Sequence, residues 1–502
     1  MTDSMDDPFD ILVIGGGING AGIAADAALR GFSVALVEQA DLASGTSSAS
    51  SKLIHGGLRY LEYGEFRLVR KALKERARLL SLAPHLIKPL RFRLPHEPHL
   101  RAAPLIRLGL FLYDHLAMRG SLPGSTGVDL AAEESFLKPE FKRGFDYSDA
   151  WVDDARLVVL NAIAAREAGA SIMTRTMATG ARRQGKHWHL AVRDLETGAE
   201  GTLCGRALVN ASGPWLGQVA DRIEGSAPTA VRLVAGSHII VPRFASSEHA
   251  YILQHADGRI VFAIPYLDRF TLVGTTDRAY SGDPAAVSAS EAEISYLLDI
   301  IAHYFREAPT RADVVATYAG VRPLIGDEGT PAAALSRDYS LRLEGEKGEP
   351  PLLTILGGKI TTYRVLAEEA VDKLSEAVND RRRGRTATTP LPGGDIGSFE
   401  AGVAAIAAKY PWVADATVER LVHAYGSRAD AVLNGAEGPT GLGTHFGADL
   451  YEAEVCHLIK SEWAKSTDDI LWRRTKLGLS LSDTEVATLK GWIDAFRKRP
   501  GG

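Results

Sequence analysis

Lys52, His55, Arg59 and Tyr60 crowd into nine positions directly behind Gly45-Thr-Ser-Ser-Ala-Ser-Ser51. Small hydroxyl residues let backbone N–H and side-chain O–H groups converge on a ligand and leave room for it. Thr46, Ser47, Ser48, Lys52, Leu53, His55 and Gly57 are therefore candidates to hold one. A second cluster, Gly357-Gly-Lys359-Ile-Thr-Thr362, ends an apolar run and opens a helical pattern. Gly358, Lys359, Ile360, Thr361 and Thr362 thus stand where free N–H groups and the helix dipole suit an anionic or electron-rich ring edge. Arg322 lies close between Gly320 and Pro323. No local pattern links Arg59, Arg322 and Lys359 to one another. His238, in a β-rich stretch, reads on its own as a core residue.

These groups need a scaffold, and residues 10–38 supply its first unit. Residues 11–14 are an unbroken apolar run, as a strand buried on both faces should be. Gly15, Gly17 and Gly20 follow in G-x-G-x-x-G spacing. The first permits a tight turn, the second lets backbone approach a pyrophosphate, and the third lets the next helix pack close on the strand. Ile18 and Asn19 open that Ala-rich helix, and Gly31 ends it. Glu38 closes the second strand, where an acid accepts from a ribose 2′-OH and repels a 2′-phosphate. The ligand is then FAD or NAD rather than NADP. Ala211, Gly213 and Trp215 end another buried strand, residues 207–215. Segments near residues 15, 50, 212 and 358 suit one extended ligand, which favours FAD.

The whole chain narrows the classes. Its 502 residues allow two or three domains, and a net charge of −5 gives no general case for nucleic acid. Cys204 and Cys456 fit no metal or redox spacing, and suit a reducing compartment. The acidic residues 1–7 carry no apolar leader, and no apolar run approaches a membrane span. Residues 65–119, by contrast, hold twelve Lys or Arg against four acids around an apolar stretch at 105–116, a pattern suited to a membrane surface or to a solvated basic face. Short alternating strands from residue 231 predict an antiparallel sheet, and Ser288 with Glu291 has capping-box spacing before a helix over 288–305. Helices are predicted at 399–409, 416–425, 449–463 and 483–497, with Trp463, Trp472, Leu477 and Leu479 as a small core. Residues 460–476 mix both charge signs and read as solvated surface.

Gly15-Gly-Gly-Ile-Asn-Gly-Ala-Gly22 and Thr46-Ser-Ser-Ala-Ser-Ser-Lys-Leu-Ile-His-Gly-Gly-Leu-Arg-Tyr60 resemble the FAD-dependent glycerol-3-phosphate dehydrogenases of aerobic bacteria. The resemblance continues through Asn210-Ala-Ser-Gly-Pro-Trp215, Gly274-Thr-Thr-Asp277, Gly320-Val-Arg-Pro-Leu324 and Gly357-Gly-Lys-Ile-Thr-Thr-Tyr-Arg364. It implies an α/β fold: a Rossmann-like FAD-binding domain (1–80, 145–230 and 318–380) and an antiparallel β-sheet substrate domain (81–144 and 231–317). A linker (381–394) and a C-terminal α-helical domain (395–502) complete it. Ala178 would contact the adenine, and the helix after Gly358 would face the flavin O2 side. The implied reaction oxidises glycerol 3-phosphate to dihydroxyacetone phosphate. Arg59, Tyr60, Thr275 and Lys359 would hold the phosphate. Arg322 and His238 would hold the hydroxyls, with His238 the candidate base. Implied partners are ubiquinone or menaquinone and an anionic membrane surface on the cytoplasmic face. A homodimer is left open, and no metal is called for. The alternatives are an oxygen-using glycerol-3-phosphate oxidase, a related amino-acid oxidase and a non-catalytic dinucleotide-binding module.

Overall fold

The computed structural model describes residues 7–97, 101–131, 136–229, 231–245, 248–255, 257–325 and 338–499. The acidic residues 1–6 lie outside them. Two large sheets and a helical domain carry the architecture. The first sheet runs Tyr339–Glu344, Leu352–Gly357, Glu200–Asn210, Phe9–Ile14, Val34–Glu38, Ser171–Thr174. All its neighbours after the first are parallel, with Ile14 beside Val37 and Asn210. The strand ends carrying Gly15, Glu38, Ala211 and Gly357 therefore finish along one edge, where open α/β sheets bind ligands. His187–Asp194 and Thr176–Gln184 extend the sheet as antiparallel strands.

Central strands Phe9–Ile14 and Val34–Glu38 are almost wholly buried, which explains their unbroken apolar runs. The helices Ile18–Leu29, Asp154–Glu167 and Tyr363–Ala377 pack against one another over this sheet. Close approach is built in: a Cβ at Gly22 would stand 2.9 Å from the Tyr363 ring.

Among the described residues the second sheet has ten strands. Its centre, Arg232–Pro242 with Phe270–Gly274, Ile260–Tyr266 and Ala250–Gln254, is antiparallel, as expected. Ala250–Gln254 pairs in parallel with Ile87–Pro95, so the sheet as a whole is mixed. It also takes in Leu53–Ile54, Arg143–Val152 and Ala316–Leu324, so its membership runs across the expected domain boundaries. Its helix begins at Glu291, and the capping box is Ser290 with Glu293, two residues after the expected pair. Both pairs have the spacing; Glu293 wins because its carboxylate also accepts from the Ser237 and Thr276 hydroxyls at 2.9 and 2.6 Å.

The C-terminal helices are Phe399–Lys409, Asp415–Tyr425, Ala429–Leu433, Glu452–Glu462 and Asp483–Phe496. They enclose their own core, with Ile406, Val422, Leu458 and Leu489. The expected Trp463–Trp472–Leu477–Leu479 core does not form. Leu477 joins that core, Leu479 packs on the second sheet, Trp463 sits under Arg166, and Trp472 is 41% exposed. Nor is residues 460–476 a solvated surface: Glu462, Asp469 and Arg474 are each 1% exposed. Among the described residues no helix is long and apolar enough to cross a membrane, and no cluster is arranged to hold a metal.

Candidate active site

A cavity of about 940 Å³ opens along the strand ends of the first sheet. Gly15, Gly17, Ile18, Asn19, Glu38, Thr46, Ser47, Ser48 and Lys52 line it, with Ala178, Ala211, Gly213, Trp215 and Gly358. Gly15 and Gly20 stand where a side chain would clash with backbone. Gly15 has φ +113°, in the region that favours glycine, and a Cβ there would fall 2.5 Å from the Ala211 carbonyl. A Cβ at Gly17 would meet only the Ser47 hydroxyl, at 3.1 Å, so its absence leaves room for a ligand. A Cβ at Gly20 would overlap the Gly15 carbonyl at 1.9 Å, which is the close helix–strand contact itself.

The polar groups around this cradle are ordered. The Glu38 carboxylate accepts from the Gly16 and Ala40 amides at 2.6 and 2.8 Å, and burial raises its pKa. Each oxygen keeps a lone pair for a ribose hydroxyl. Ser47 Oγ accepts from the Ile18 amide at 3.0 Å, and Thr46 donates to the Val321 carbonyl at 2.5 Å. Asn19 donates to the Gly357 carbonyl at 3.1 Å, while its buried Oδ1 has no partner among the described residues. That orphaned acceptor, the glycine cradle and the helix N-terminus at Ile18 fit a dinucleotide. Lys52 turns out to pin the loop: its ammonium donates to Asp154 at 2.7 Å and to the Ser48 carbonyl at 3.1 Å.

Leu53, His55, Gly57, Lys359, Ile360, Thr361 and Thr362, also expected around the cofactor, do not line this cavity. Leu53 is buried beside Trp151, and Thr361 accepts from the His55 amide at 3.1 Å. Ile360, Thr361 and Thr362 form the turn that starts the helix Tyr363–Ala377.

A second cavity, about 570 Å³, adjoins the loop after Gly56. His55, Gly57, Arg59, Tyr60 and Thr275 line it. Two further cations touch its walls. Lys359 stands 3.5 Å over the Tyr60 ring, and Arg322 donates to the Thr275 hydroxyl at 2.9 Å. Arg59, Tyr60, Thr275, Arg322 and Lys359, spread over 300 positions of sequence, are thus brought to one place. Arg322 is also ion-paired with Asp277, which sequence reasoning passed over although it closes the Gly274-Thr-Thr-Asp277 motif. The loop is held from below: the Gly56 amide donates to Tyr113 Oη at 2.8 Å, and Tyr113 and Arg76 both donate to the buried Asp149. The other half of this cavity is apolar, with Leu94, Ile106, Leu112, Ile252 and Phe262.

His238 lines neither cavity. It lies under Gly274, stacks on Tyr318 with ring centroids 4.7 Å apart, and is 1% exposed. Its Nε2 meets the Ser51 hydroxyl at 2.9 Å, and its Nδ1 has no partner among the described residues. Burial, helped by the nearby Arg322 charge, lowers its pKa to about 3. The imidazole is therefore neutral at ordinary pH.

Comparison with known proteins agrees with this geometry. The model of the FAD dependent oxidoreductase family matches residues 10–364, and that of the C-terminal domain of alpha-glycerophosphate oxidase matches residues 384–501. A glycerol-3-phosphate dehydrogenase of Pseudomonas aeruginosa is 53% identical over 97% of this chain and 95% of its own length. A D-erythritol 1-phosphate dehydrogenase of Brucella abortus is 49% identical over 97% of both. The crystal structure of a Bacillus halodurans glycerol-3-phosphate dehydrogenase complexed with FAD superposes with a TM-score of 0.76 at 27% identity, covering 99% of this chain and 92% of that one. A cradle built for a dinucleotide with an unphosphorylated ribose, matched over its whole length by a family model, has one reading: the chain belongs to the FAD-dependent oxidoreductase family, and its cofactor is FAD.

Proposed function

We propose that the protein oxidises sn-glycerol 3-phosphate to dihydroxyacetone phosphate and passes the electrons to a membrane quinone. The observation that carries this reading is the gathering of Arg59, Tyr60, Thr275, Arg322 and Lys359 around one cavity. Arg59 and Lys359 suit a phosphate dianion and leave Arg322, paired with Asp277, for a hydroxyl, whereas an amino-acid substrate needs one arginine for its carboxylate. When bound, FAD supplies the acceptor for the hydride that leaves C2. Arg59, Lys359 and the Tyr60 and Thr275 hydroxyls hold the phosphate, and Arg322 steadies the C2 oxygen as its proton departs. His238, buried outside both cavities, is the proposed final acceptor of that proton, through Ser51 rather than from the substrate directly. It is neutral, and the Ser51 hydroxyl stands on its Nε2. The relative named for D-erythritol 1-phosphate supports a second reading, a longer phosphorylated polyol, and the apolar reach of the cavity leaves space for one. Comparing kcat/KM for the two phosphorylated alcohols decides between them; at least a tenfold preference for glycerol 3-phosphate is expected, about 1.4 kcal/mol.

The pH profile follows from the burial of His238. Because its pKa lies near 3 in the free enzyme, kcat/KM should show no ionisation of this group between pH 5 and 8. An inflection near pH 6.5 that disappears in His238→Asn would show an imidazole titrating at its ordinary value.

Membrane docking has its own support. Leu105, Leu108 and Phe111, on the helix Ala103–His115, are 48%, 52% and 55% exposed beside the exposed Arg101 and Arg107. Arg76 and Arg93 do not share that role, since each is buried against an aspartate. Co-sedimentation with anionic vesicles should fall as salt rises, because exposed charges are screened beyond about 10 Å at 0.1 M. Equal binding to neutral vesicles would remove the electrostatic part of this proposal. Reoxidation faster with a soluble quinone than with oxygen would favour a dehydrogenase over an oxidase.

A further inference from the structure

The stretch expected to be solvated surface is instead the attachment of the C-terminal domain to the FAD cavity. After the helix Glu452–Glu462 the chain makes a π-helical turn, Asp469–Arg474, a geometry often found at functional sites. Arg474 grips Asp41 with two hydrogen bonds of 2.8 and 2.9 Å, and Arg473 Nε donates to the same carboxylate at 2.6 Å. Arg175 reaches Asp41 at 3.3 Å, and both Arg175 and Arg473 pair with Asp469. Arg156 pairs with Glu462, whose backbone carbonyl takes a further bond from Arg474. Asp41 stands three residues after Glu38, at the start of the loop that carries Thr46, Ser47 and Ser48.

The far end of that loop is fastened as well. Lys476 Nζ lies 3.0 Å from Asp153, and the next residue, Asp154, accepts from Lys52 at 2.7 Å and from Ser50 Oγ at 2.8 Å. Trp472, Arg473 and Lys476 themselves line the cavity that Gly15, Glu38 and Ser47 line. Among the described residues four arginines of the Asp41 network face three carboxylates, and Glu38 in the cavity brings the two signs level, so the network fastens the loop rather than adding net charge.

We propose that the C-terminal helical domain is part of the FAD site: residues 469–476 form one wall of the cofactor cavity and hold the loop 41–52 in its FAD-binding form. Cofactor binding and docking of the domain are then coupled, and the coupling is reciprocal. The ligand is the extended, anionic FAD; no other molecule is invoked.

The test uses full-length protein stripped of FAD and then reconstituted, followed by hydrogen exchange. On adding FAD, amides of residues 469–479 should exchange at least tenfold more slowly, while the helix Phe399–Lys409, which lines no part of the cavity, keeps its rate. Trp472→Ala and Arg473→Gln should each raise the FAD Kd about tenfold, read by flavin fluorescence. Both readouts report FAD, not turnover, so a wrong substrate assignment leaves them intact. Unchanged exchange at 469–479 overturns the proposal, and so does a wild-type Kd in both variants. If neither variant folds, exchange in the unmodified protein decides alone.

Discussion

Arg322→Ala is expected to lower kcat by roughly 10²–10³, the loss seen when a donor to a developing oxyanion is removed. The argument starts from the backbone. Arg322 lies on the edge strand Ala316–Leu324, in register with Val234. Its guanidinium is fixed by the Thr275 hydroxyl at 2.9 Å and by Asp277. A group so fixed does not have to reorganise as charge grows on the C2 oxygen. Arg322→Lys should rescue poorly, because an ammonium cannot reproduce the planar fork. Lys359→Ala, by contrast, removes binding shared by ground and transition states and should chiefly raise KM. FAD content must be measured with each variant, since Val321 and Pro323 line the cofactor cavity. If fully flavinylated Arg322→Ala keeps its kcat and only KM rises, Arg322 is a phosphate anchor.

The second large effect is expected at Gly20. An added methyl would sit 1.9 Å from the Gly15 carbonyl oxygen, an atom of the backbone that cannot swing away. Gly20→Ala must therefore lift the helix Ile18–Leu29 off its strand. Overpacking of a tight core costs about 1–3 kcal/mol, and a backbone neighbour puts this site at the upper end. The displaced helix N-terminus should weaken FAD binding at least tenfold. Gly17→Ala is the control, because its Cβ meets only a side-chain hydroxyl at 3.1 Å. It should bind FAD less well while melting near the wild-type temperature. Equal melting temperatures for the two variants would show that the helix tolerates the shift.

The contrast between these glycines shows what sequence can carry. Residues 10–38 form a local unit: strand, turn, helix and strand are neighbours in sequence and in space, so the spacing of Gly15, Gly17, Gly20 and Glu38 reports their geometry directly. The gathering of Arg59, Arg322 and Lys359 could be expected only through resemblance, since no local pattern links them. Asp277 was passed over because an acid in a cationic site attracts no attention until its partner is known. His238 reads from its strand context as a core residue and is one; what sequence does not show is which groups bury it, Gly274 and Tyr318 on two other strands. The mixed charges of residues 460–476 misled most. Their partners, Asp41 and Arg175, lie about 300 to 430 positions away, so charges that look solvated in sequence are paired and buried in space.

The most direct test of the account is a visible spectrum of the purified protein under anaerobic conditions, taken before and after glycerol 3-phosphate. The protein should be yellow, and its flavin bands should bleach on addition of one equivalent of substrate and return when a quinone is added. Flavin bands that stay unchanged with excess glycerol 3-phosphate, in protein fully loaded with FAD, would contradict it.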